Sequence, residues 1–416
     1  MVRTLYICYF GLREPLVQTQ VLPYLRELSR RGVEVHLLTF EPNKSKSWND
    51  EVEARTRADL ESHGIRWVAL PYHKRPSLPA TFYDVLAGAW AIRNISKHHS
   101  IDVLHARSHV PLAMALLAQR KERVIFDIRG LLAEEYAEAG VWKENGLPFR
   151  LTKFLERNGM KRADHLVVLT ERVRDWLIGE GVAGDKITII PCCVDLSRYD
   201  KRCDQAGNEP NGMEVIYAGS VTGLYLLDEM AKFFIEIRRR DDRAKLRVLT
   251  KTSREEVAKV FHRLGIEDEL FEVAYVEPER LPSYLCRASL GLSFIKPTFS
   301  KIASSPTKIA EYLAAGIPVV SNGGVGDVDS LLKRERVGVI LEDFNERERA
   351  KAADQLIELL RDPDLKERCK RTAHRYFDLS SVGGERYFAI YRALSAHQPG
   401  EKELCSFNVG PTDRQR

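Results

Sequence analysis

Short runs of β-branched and other apolar residues alternate with longer stretches of helical periodicity along most of the chain. This alternation predicts parallel sheets with helices on both faces. In the first half the strand candidates are residues 4–10, 34–40, 66–70, 101–106, 123–128, 165–170 and 186–191. In the second half they are residues 214–220, 245–250, 271–276, 289–295, 318–322 and 337–341.

A polar segment without periodicity separates the two halves. Residues 195–213 are rich in turn formers, and we place the linker there. We predict two doubly wound Rossmann-like α/β domains, 1–205 and 206–378, that face each other across an interdomain cleft. A C-terminal helix at 379–396 is expected to cross back to the first domain, and 397–416 to form a flexible tail.

Length and composition fit this interpretation. The chain has 416 residues, of which 44% are hydrophobic and 30% charged, which suits two domains with large cores. Its net charge of +5 is too mild for a nucleic-acid-binding protein, so we expect no nucleic-acid partner. There is no membrane-spanning run, signal peptide or CxxC pair, and the seven cysteines are scattered. We therefore expect a cytoplasmic protein with reduced cysteines.

The stretch "ASSPTKIAEYLAAGIPVVSNGGVGD" places charged residues at the start of an otherwise apolar helix. Ser305 is a suitable N-cap and Pro306 a suitable first helical residue. Free amide groups such as that of Thr307 attract phosphate together with the helix dipole, and Lys308 adds a full charge. Glu311 lies roughly 9 Å from the cap, at a rise of about 1.5 Å per residue. Its carboxylate can accept two hydrogen bonds from a vicinal diol such as that of a ribose. The helix therefore suits a ligand with a diphosphate at its amino end and a ribose further along, as in a nucleotide. A surface ion pair is the alternative.

The segment "SPTKIAEYLAAGIPVV" resembles the donor-binding signature of family 4 (group 1) glycosyltransferases, which have the GT-B fold. Other segments match that family in the same order: "YLRELSRRGVEVHLLTF", "HLVVLTERVRDWL", "ITIIPCCVDLSRY" and "EVIYAGS". The resemblance covers roughly residues 3–395 and is most specific at 296–327. It implies transfer of a sugar from a nucleotide-diphosphate sugar to a hydroxyl acceptor, with retention and with no required metal or other cofactor. It also implies that the donor binds the C-terminal domain and the acceptor the N-terminal domain.

This chain departs from the family pattern in two places. The signature usually has two glutamates separated by seven residues; Glu311 matches the ribose-binding second one, but the first falls at Ala303. The diphosphate-binding arginine and lysine that usually follow the first C-terminal strand are replaced by "AGSVTGLYLLDEM". The charge of the departing diphosphate still needs compensation. Our candidate donor-binding residues are Gly11, Ser220, Lys251, Lys296, Lys301, Ser304, Ser305, Thr307, Lys308 and Glu311.

Charged residues also follow predicted strands in the first half. "VIFDIRG" puts Asp127 and Arg129 at the end of a strand, in an area that faces sugar and acceptor in the family. Asp127 is a candidate to orient or deprotonate an acceptor hydroxyl. With His105, at another strand end, these form our predicted catalytic set; a turn aspartate and a structural histidine are the alternatives. The loop at 9–25 lacks GxGxxG, which weighs against a dinucleotide oxidoreductase.

Two further patterns have alternative interpretations. Asp327 and Asp329 form an Asp-x-Asp pattern that metal-dependent transferases of another fold use, but a helix cap fits Asp327 better, and we predict no metal site. Residues 147–162 combine basic residues with an apolar stripe. This suits either peripheral contact with the inner face of a membrane or the solvated face of a packed helix.

The resemblance as a whole implies a hexosyl- or N-acetylhexosaminyltransferase of polysaccharide or glycolipid biosynthesis. Its donor would carry UDP or GDP, and its acceptor would be a carbohydrate or a lipid-linked molecule. The alternatives are a GT-B nucleotide-sugar epimerase or phosphorylase, and a non-catalytic nucleotide-sugar-binding homologue. The last alternative stays open because an inactive homologue would also lack the usual diphosphate-binding residues.

Overall fold

The computed structural model describes residues 1–42, 44, 48–73, 75, 77–203 and 212–396. The predicted tail and much of the predicted linker lie outside the described residues. None of the described helices is long and apolar enough to cross a membrane.

The first half of the chain forms a parallel sheet of seven strands in the order β3-β2-β1-β4-β5-β6-β7. Leu5 of the central strand lies opposite His36 on one side and Leu104 on the other. The strands are apolar almost throughout because helices cover both faces of the sheet. The strands are β1 (Arg3–Cys8), β2 (Glu34–Pro42), β3 (Ile65–Tyr72), β4 (Val103–Arg107), β5 (Arg123–Asp127), β6 (His165–Val168) and β7 (Ile187–Ile189).

Helices of this half lie in two layers. Two helices between β1 and β2 begin at Pro15 and Leu22, a helix between β2 and β3 begins at Asp50, and a long helix between β3 and β4 begins at Ser77. Leu25, Leu28 and Leu60 pack on one face, whereas Val85, Leu112 and Met160 pack on the other. The helices are α1 (Pro15–Gln20), α2 (Leu22–Arg30), α3 (Asp50–Ser62), α4 (Ser77–His99), α5 (His109–Ala118), α6 (Leu132–Glu138), α7 (Leu147–Arg162), α8 (Glu171–Gly179) and α9 (Ser197–Cys203).

The second half forms a parallel sheet of six strands in the order β10-β9-β8-β11-β12-β13. Its strands are β8 (Glu214–Ala218), β9 (Lys245–Leu249), β10 (Phe271–Ala274), β11 (Leu290–Ser293), β12 (Val319–Asn322) and β13 (Gly338–Leu341). Its helices are α10 (Leu227–Arg238), α11 (Arg254–Arg263), α12 (Leu281–Leu285), α13 (Thr307–Ala314), α14 (Val328–Glu335), α15 (Glu346–Leu360) and α16 (Leu365–Phe377). The two sheets confirm the predicted pair of Rossmann-like domains, and every described strand overlaps a predicted one.

Two segments connect the domains. The first runs from β7 through α9, so the predicted linker begins with a helix that its polar composition did not reveal. The second is a π-helical turn, Leu379–Gly384, followed by α17 (Glu385–Ala396), which packs on the N-terminal domain beside Tyr24 and Val35. Its apolar residues complete one face of the first sheet.

The prediction of reduced cysteines is wrong at one place. Cys203 and Cys286 form a disulfide across a sequence separation of 83. The two sulfurs meet because α9 packs against α12, a contact that the sequence pattern does not indicate. The other four cysteines in the described part of the chain are free and buried.

Candidate active site

Lys308 lies among aromatic rings at the carboxyl end of β8. Its Nζ is 4.0 Å from the ring centroid of Tyr217 and 4.4 Å from that of Tyr225, and it donates a 2.9 Å hydrogen bond to the Tyr217 hydroxyl. No carboxylate of the described residues lies within 4.0 Å of it. Burial lowers the pKa of Lys308 to about 7, although Glu311 opposes the shift. A buried ammonium group without an anionic partner is suited to bind an anion.

Glu311 follows one turn later on α13. Burial raises the pKa of Glu311 to about 7, against the attraction of Arg198 and Lys308. Its side chain makes no hydrogen bond within the described part of the molecule; the guanidinium of Arg198 donates instead to the carbonyl of Pro278. Both carboxyl oxygens of Glu311 are therefore available to accept hydrogen bonds from a ligand.

A glycine in the loop after β8 leaves space for the Lys308 side chain. A Cβ atom at Gly219 would lie 2.9 Å from the Lys308 Nζ, and the φ of Gly219 is 136°. Ser220 is exposed, and its carbonyl accepts a hydrogen bond from the Tyr217 hydroxyl. Lys296 is exposed just beyond β11, the strand next to β8. The edge of the sheet thus brings Ser220, Lys296 and Lys308 to one region.

Lys251 and Thr307 lie at the borders of this region. Lys251 is exposed beyond β9, with its Nζ 5.4 Å from the ring centroid of Tyr275. Thr307 is the first residue of α13, so its amide is among those that a helix leaves unbonded.

Ser305 is not the helix N-cap that we predicted. Pro306 occupies the N-cap position, and the Ser305 hydroxyl accepts a 3.1 Å hydrogen bond from the amide of Cys192. That amide belongs to the segment that crosses between the domains, so the contact takes the hydroxyl away from α13. Ser304 is half-buried beside it, and its amide donates to the carbonyl of Lys301.

Lys301 and Ala303 contact the other domain. The Lys301 Nζ lies 3.0 Å from the Glu135 Oε1 of α6, so Lys301 is used in an ion pair between domains. Ala303 is buried in the core cluster of the N-terminal domain, at the position where the family pattern has its first glutamate. A glutamate at 303 would have to displace that packing.

Asp127 and His105 lie in a closed polar network beneath α17. The Tyr387 hydroxyl donates a 3.0 Å hydrogen bond to the Asp127 Oδ2, the His105 Nε2 lies 3.4 Å from the same oxygen, and the His105 Nδ1 lies 2.6 Å from the Tyr391 hydroxyl. Neither Asp127 nor His105 has exposed surface. The direct acceptor contact that we predicted for them is therefore not what this structure shows: α17 covers both.

Charge compensation sets the state of this network. Burial alone would raise the pKa of Asp127, but Arg129, His105 and Arg107 outweigh it and lower the pKa to about 2. Burial lowers the pKa of His105, although Asp127 opposes the shift. A carboxylate of this kind is a weak base, and it is better suited to hold the neighbouring guanidinium groups in place.

Arg129 connects this network to the cleft. Its Nη1 lies 3.6 Å from the Asp127 Oδ1, and its Nη2 donates a 3.4 Å hydrogen bond to the Cys192 sulfur. Cys192 in turn contacts Ser305, next to the start of α13. The side chain of Arg129 is 10% exposed, unlike those of Asp127 and His105. Arg129 is thus the predicted catalytic residue that keeps access to a ligand.

Gly11 packs against β2. A Cβ atom there would lie 2.7 Å from the Pro42 Cδ and 3.0 Å from a Glu41 oxygen. The same carboxylate accepts a 2.8 Å hydrogen bond from the Leu12 amide. This packing is enough to require glycine, whether or not a donor approaches.

Asp327 is a cap, but for a helix of the other domain. Its carboxylate accepts hydrogen bonds from the amides of Glu171 (2.7 Å) and Arg172 (3.3 Å) at the start of α8, and it does not cap its own helix α14. Asp329 pairs with the Arg172 side chain at 2.9 Å. Within the described residues, no group of three or more His, Cys, Asp or Glu side chains is arranged to hold a metal ion.

Four residues of the site were not predicted: Tyr217, Tyr225, Arg198 and Glu135. The first three are brought to Lys308 or Glu311 by the second sheet and α9, across more than 80 residues of sequence. The fourth comes from the other domain. Only Tyr217 had a local signal, since it lies in the strand before the glycine loop.

Comparison with known proteins identifies the class. A family model described as Glycosyltransferase Family 4 matches residues 17–198, and one described as Glycosyl transferases group 1 matches residues 203–376. The two together span most of the chain, which belongs to the family 4 (group 1) glycosyltransferases. No match was found among curated proteins.

Solved structures agree in fold. A glycosyltransferase from Rickettsia africae ESF-5 is 15% identical, with 95% of this chain and 99% of that chain covered and a TM-score of 0.70. Sucrose-phosphate synthase from Thermosynechococcus elongatus is 15% identical, with coverages of 96% and 100% and a TM-score of 0.69. HepE from Anabaena, in complex with UDP-glucose, is 13% identical, with coverages of 94% and 100% and a TM-score of 0.64. The fold is therefore that of GT-B glycosyltransferases.

Proposed function

We propose that this protein transfers a hexosyl or N-acetylhexosaminyl group from a nucleotide-diphosphate sugar, with UDP or GDP as the nucleotide, to a hydroxyl of a carbohydrate or lipid-linked acceptor. The observation that carries the proposal is the pair on α13. Lys308 has no anionic partner and Glu311 no hydrogen-bond partner among the described residues, and the two lie one turn apart at a sheet edge that faces the cleft. The UDP-glucose complex of HepE supports a nucleotide-sugar donor.

In this proposal α13 binds the nucleotide. The ammonium group of Lys308 and the first amides of α13 contact the diphosphate, and the Glu311 carboxylate accepts hydrogen bonds from the ribose hydroxyls. Because the usual arginine and lysine are missing after β8, Lys308 supplies much of the positive charge that the departing diphosphate needs. Ser220 follows β8, and Lys296 and Lys251 follow its two neighbours in the sheet, β11 and β9, so these residues are further candidates to contact the donor.

The N-terminal domain supplies Arg129. Asp127 and His105 act as positioning residues in this proposal, since they hold the guanidinium of Arg129 towards the start of α13. An arginine in this position adds positive charge near the diphosphate at the moment of bond cleavage. We propose that the sugar is transferred with retention, that no metal is required, and that the product belongs to polysaccharide or glycolipid synthesis in the cytoplasm.

Calorimetric binding of three ligands tests the donor site: a nucleoside diphosphate, the bare nucleoside, and its 2′,3′-dideoxy analogue. Lys308→Ala should weaken the diphosphate about ten- to a hundredfold, from one charge-assisted contact of about 1.5–3 kcal/mol, and barely affect the nucleoside. Glu311→Ala should weaken both diphosphate and nucleoside, but not the dideoxy analogue. Lys366→Ala, an exposed lysine of the same domain, is the control.

Two results would oppose the proposal. If both variants bind the diphosphate like wild type while circular dichroism shows them folded, Lys308 and Glu311 are structural. For the chemistry, a panel of nucleotide sugars is assayed for transfer in excess EDTA, with the product anomer assigned by NMR. Activity that is lost to EDTA and restored by manganese would contradict metal independence, and an inverted anomer would contradict retention.

A further inference from the structure

One outer face of the N-terminal domain carries large apolar side chains that the described part of the chain leaves uncovered. On α4 such residues recur at every fourth position, which places them along one side of the helix. Phe82 and Trp90 are 65% and 68% exposed, so the packing of α4 on the domain does not bury these two side chains. The four residues of this stripe are Leu78, Phe82, Leu86 and Trp90.

The same face continues on α7. Helix α5 packs between α4 and α7, so the three helices form one layer on the sheet. Leu147, Leu151 and Phe154 of α7 are exposed, Phe154 by 67%. We call the outer side of α4, α5 and α7 the helical face. Exposed apolar patches on a protein surface mark interaction sites.

The charges on the helical face have one sign. The only acidic residues of the three helices are Asp84 and Glu156, and both are buried. Asp84 accepts a 2.7 Å hydrogen bond from the Tyr9 hydroxyl, and Glu156 lies 3.0 Å from the His109 Nε2. Exposed basic residues lie along α7 and towards the carboxyl ends of all three helices: Arg93, Lys97, Arg120, Lys121, Arg150, Arg157, Lys161 and Arg162.

We propose that the helical face binds the surface of an anionic lipid bilayer. Exposed tryptophan, phenylalanine and leucine beside lysine and arginine are what the boundary between headgroups and acyl chains favours. A second copy of this chain fits less well, because a symmetric dimer would bring two like-charged faces together. Such binding needs no membrane-spanning segment: the protein would lie on the bilayer with its apolar stripe inserted.

The position of this face relates docking to the cleft. In parallel α/β units the helices begin at the carboxyl edge of the sheet, where the cleft opens. The amino ends of α4 and α7, at Leu78 and Leu147, therefore lie on the cleft side of the helical face. Docking would hold the cleft beside the headgroups and favour an acceptor anchored in the bilayer. This last step rests on the proposed function, whereas the docking itself does not.

Co-sedimentation of the full chain with vesicles tests the proposal without any activity assay. Vesicles of phosphatidylcholine with phosphatidylglycerol should bind the protein, vesicles of phosphatidylcholine alone much less, and added salt should weaken binding. Phe82→Ser with Trp90→Ser should lower the partition coefficient at least about tenfold. Phe82→Leu with Trp90→Leu keeps the face apolar and should retain most of the binding.

A charge series makes the test specific to this face. Arg157→Gln, Lys161→Gln and Arg162→Gln together should lower partition to anionic vesicles about a hundredfold, at about fivefold for each basic residue. The matched control removes three exposed charges of the C-terminal domain, Lys245→Gln, Lys366→Gln and Arg371→Gln, and should change partition little.

Three results would overturn the proposal. The first is that the wild-type protein pellets with neither vesicle type. The second is that the control triple loses as much binding as the triple on α7, and the third is that the serine variant binds like wild type. Sedimentation equilibrium addresses the competing occupant: a dimer that the serine variant abolishes, without vesicle binding by wild type, would assign the face to a second copy. Circular dichroism shows whether each variant folds, and a failure of transfer activity alone would leave the docking result unchanged.

Discussion

At the scale of single residues, Lys308 combines a proposed role in donor binding with a cost in stability. A lysine that is buried among Tyr217 and Tyr225, with no carboxylate within ion-pair distance in the described structure, is disfavoured in its charged form. Cation–π contact with two rings offsets part of this cost. A nucleotide diphosphate would supply the missing negative charge. Binding of the diphosphate should therefore be favoured at Lys308, because the ligand stabilises a charged lysine that the ligand-free protein destabilises.

The first prediction concerns Lys308→Met in the ligand-free protein. The folded-state pKa is lowered from 10.5 to about 7, so the penalty is complete below pH 7 and disappears as pH rises through 10.5. Lys308→Met should thus raise the free energy of unfolding near neutral pH, by at most on the order of 5 kcal/mol, and the gain should shrink steadily as pH rises above about 7 and vanish near pH 10.5. Urea unfolding across this range measures it; a variant that is destabilised at every pH would refute the argument.

The second prediction concerns Asp127, whose carboxylate balances Arg107 and Arg129 at 3.8 and 3.6 Å. Its folded-state pKa is lowered from 3.8 to about 2, so its contribution is present above pH 4 and is lost as pH falls through 2. Asp127→Asn should lower the free energy of unfolding by about 2–3 kcal/mol at neutral pH. Because Arg129 loses its anchor, turnover should fall while the dissociation constant of the nucleoside diphosphate stays near wild type.

The control for this prediction is Asp59→Asn, which removes an exposed carboxylate that pairs with Arg26 and should cost less than about 1 kcal/mol. Equal effects of the two substitutions on unfolding would show that the buried network carries no special weight. If Asp127→Asn instead raises the dissociation constant and leaves turnover intact, the carboxylate supports donor binding and not the chemical step.

At the scale of elements, the strands were predictable and several contacts between elements were not. Strands of a doubly covered parallel sheet are continuous apolar runs, so composition alone predicts them. The chemistry of α13 was predictable to the extent that it is local: Lys308 and Glu311 do lie on one side of its first turns. The aromatic surroundings of Lys308 were not predictable, because Tyr217 comes from β8, 91 residues earlier. Asp127 was placed correctly at the end of β5, yet nothing local indicates that α17 covers it.

The third prediction belongs to α8, whose first amides are capped by Asp327 of the other domain. Asp327→Ala should lower the free energy of unfolding by about 1 kcal/mol, within a range of about 0.5–2 for a lost cap. Amide hydrogen exchange at the first turn of α8 should become faster. Asp329→Ala is the matched control: it removes a pair with Arg172 that is partly exposed, and it should leave those amides protected.

If Asp327 and Asp329 instead bound a metal ion, a different result would be expected. In that case manganese would raise the melting temperature of the wild-type protein, and both alanine variants would lose that increase. A cap predicts no dependence on manganese and a difference between the two variants.

At the scale of the whole molecule, the two domains are held together on more than one side. On one side the chain itself crosses between the domains, and α17 places Tyr387 and Tyr391 against Asp127 and His105. Thr170 adds a hydrogen bond of 2.6 Å from its hydroxyl to the carbonyl of Ile302. Across the cleft, α6 contacts the short segment that leads into α13. Helix α13 is thus tied to the N-terminal domain through the residues immediately before it.

The fourth prediction tests this tie. Glu135 pairs with Lys301 at 3.0 Å, and Glu138 accepts a 2.9 Å hydrogen bond from the Ser300 amide together with one from its hydroxyl. Glu135→Gln with Glu138→Gln should weaken these charge-assisted contacts, each of about 1.5–3 kcal/mol, and allow the domains to separate.

Small-angle X-ray scattering of this double variant should then show a larger radius of gyration for the ligand-free protein. Glu134→Gln, on the same helix but paired with Lys153 within its own domain, should not change it. Affinity for the nucleoside diphosphate should stay near wild type, because Lys308 and Glu311 are untouched, whereas transfer should slow because donor and acceptor sites meet less often. An unchanged radius together with unchanged turnover would mean that the crossings and Asp327 alone keep the cleft closed.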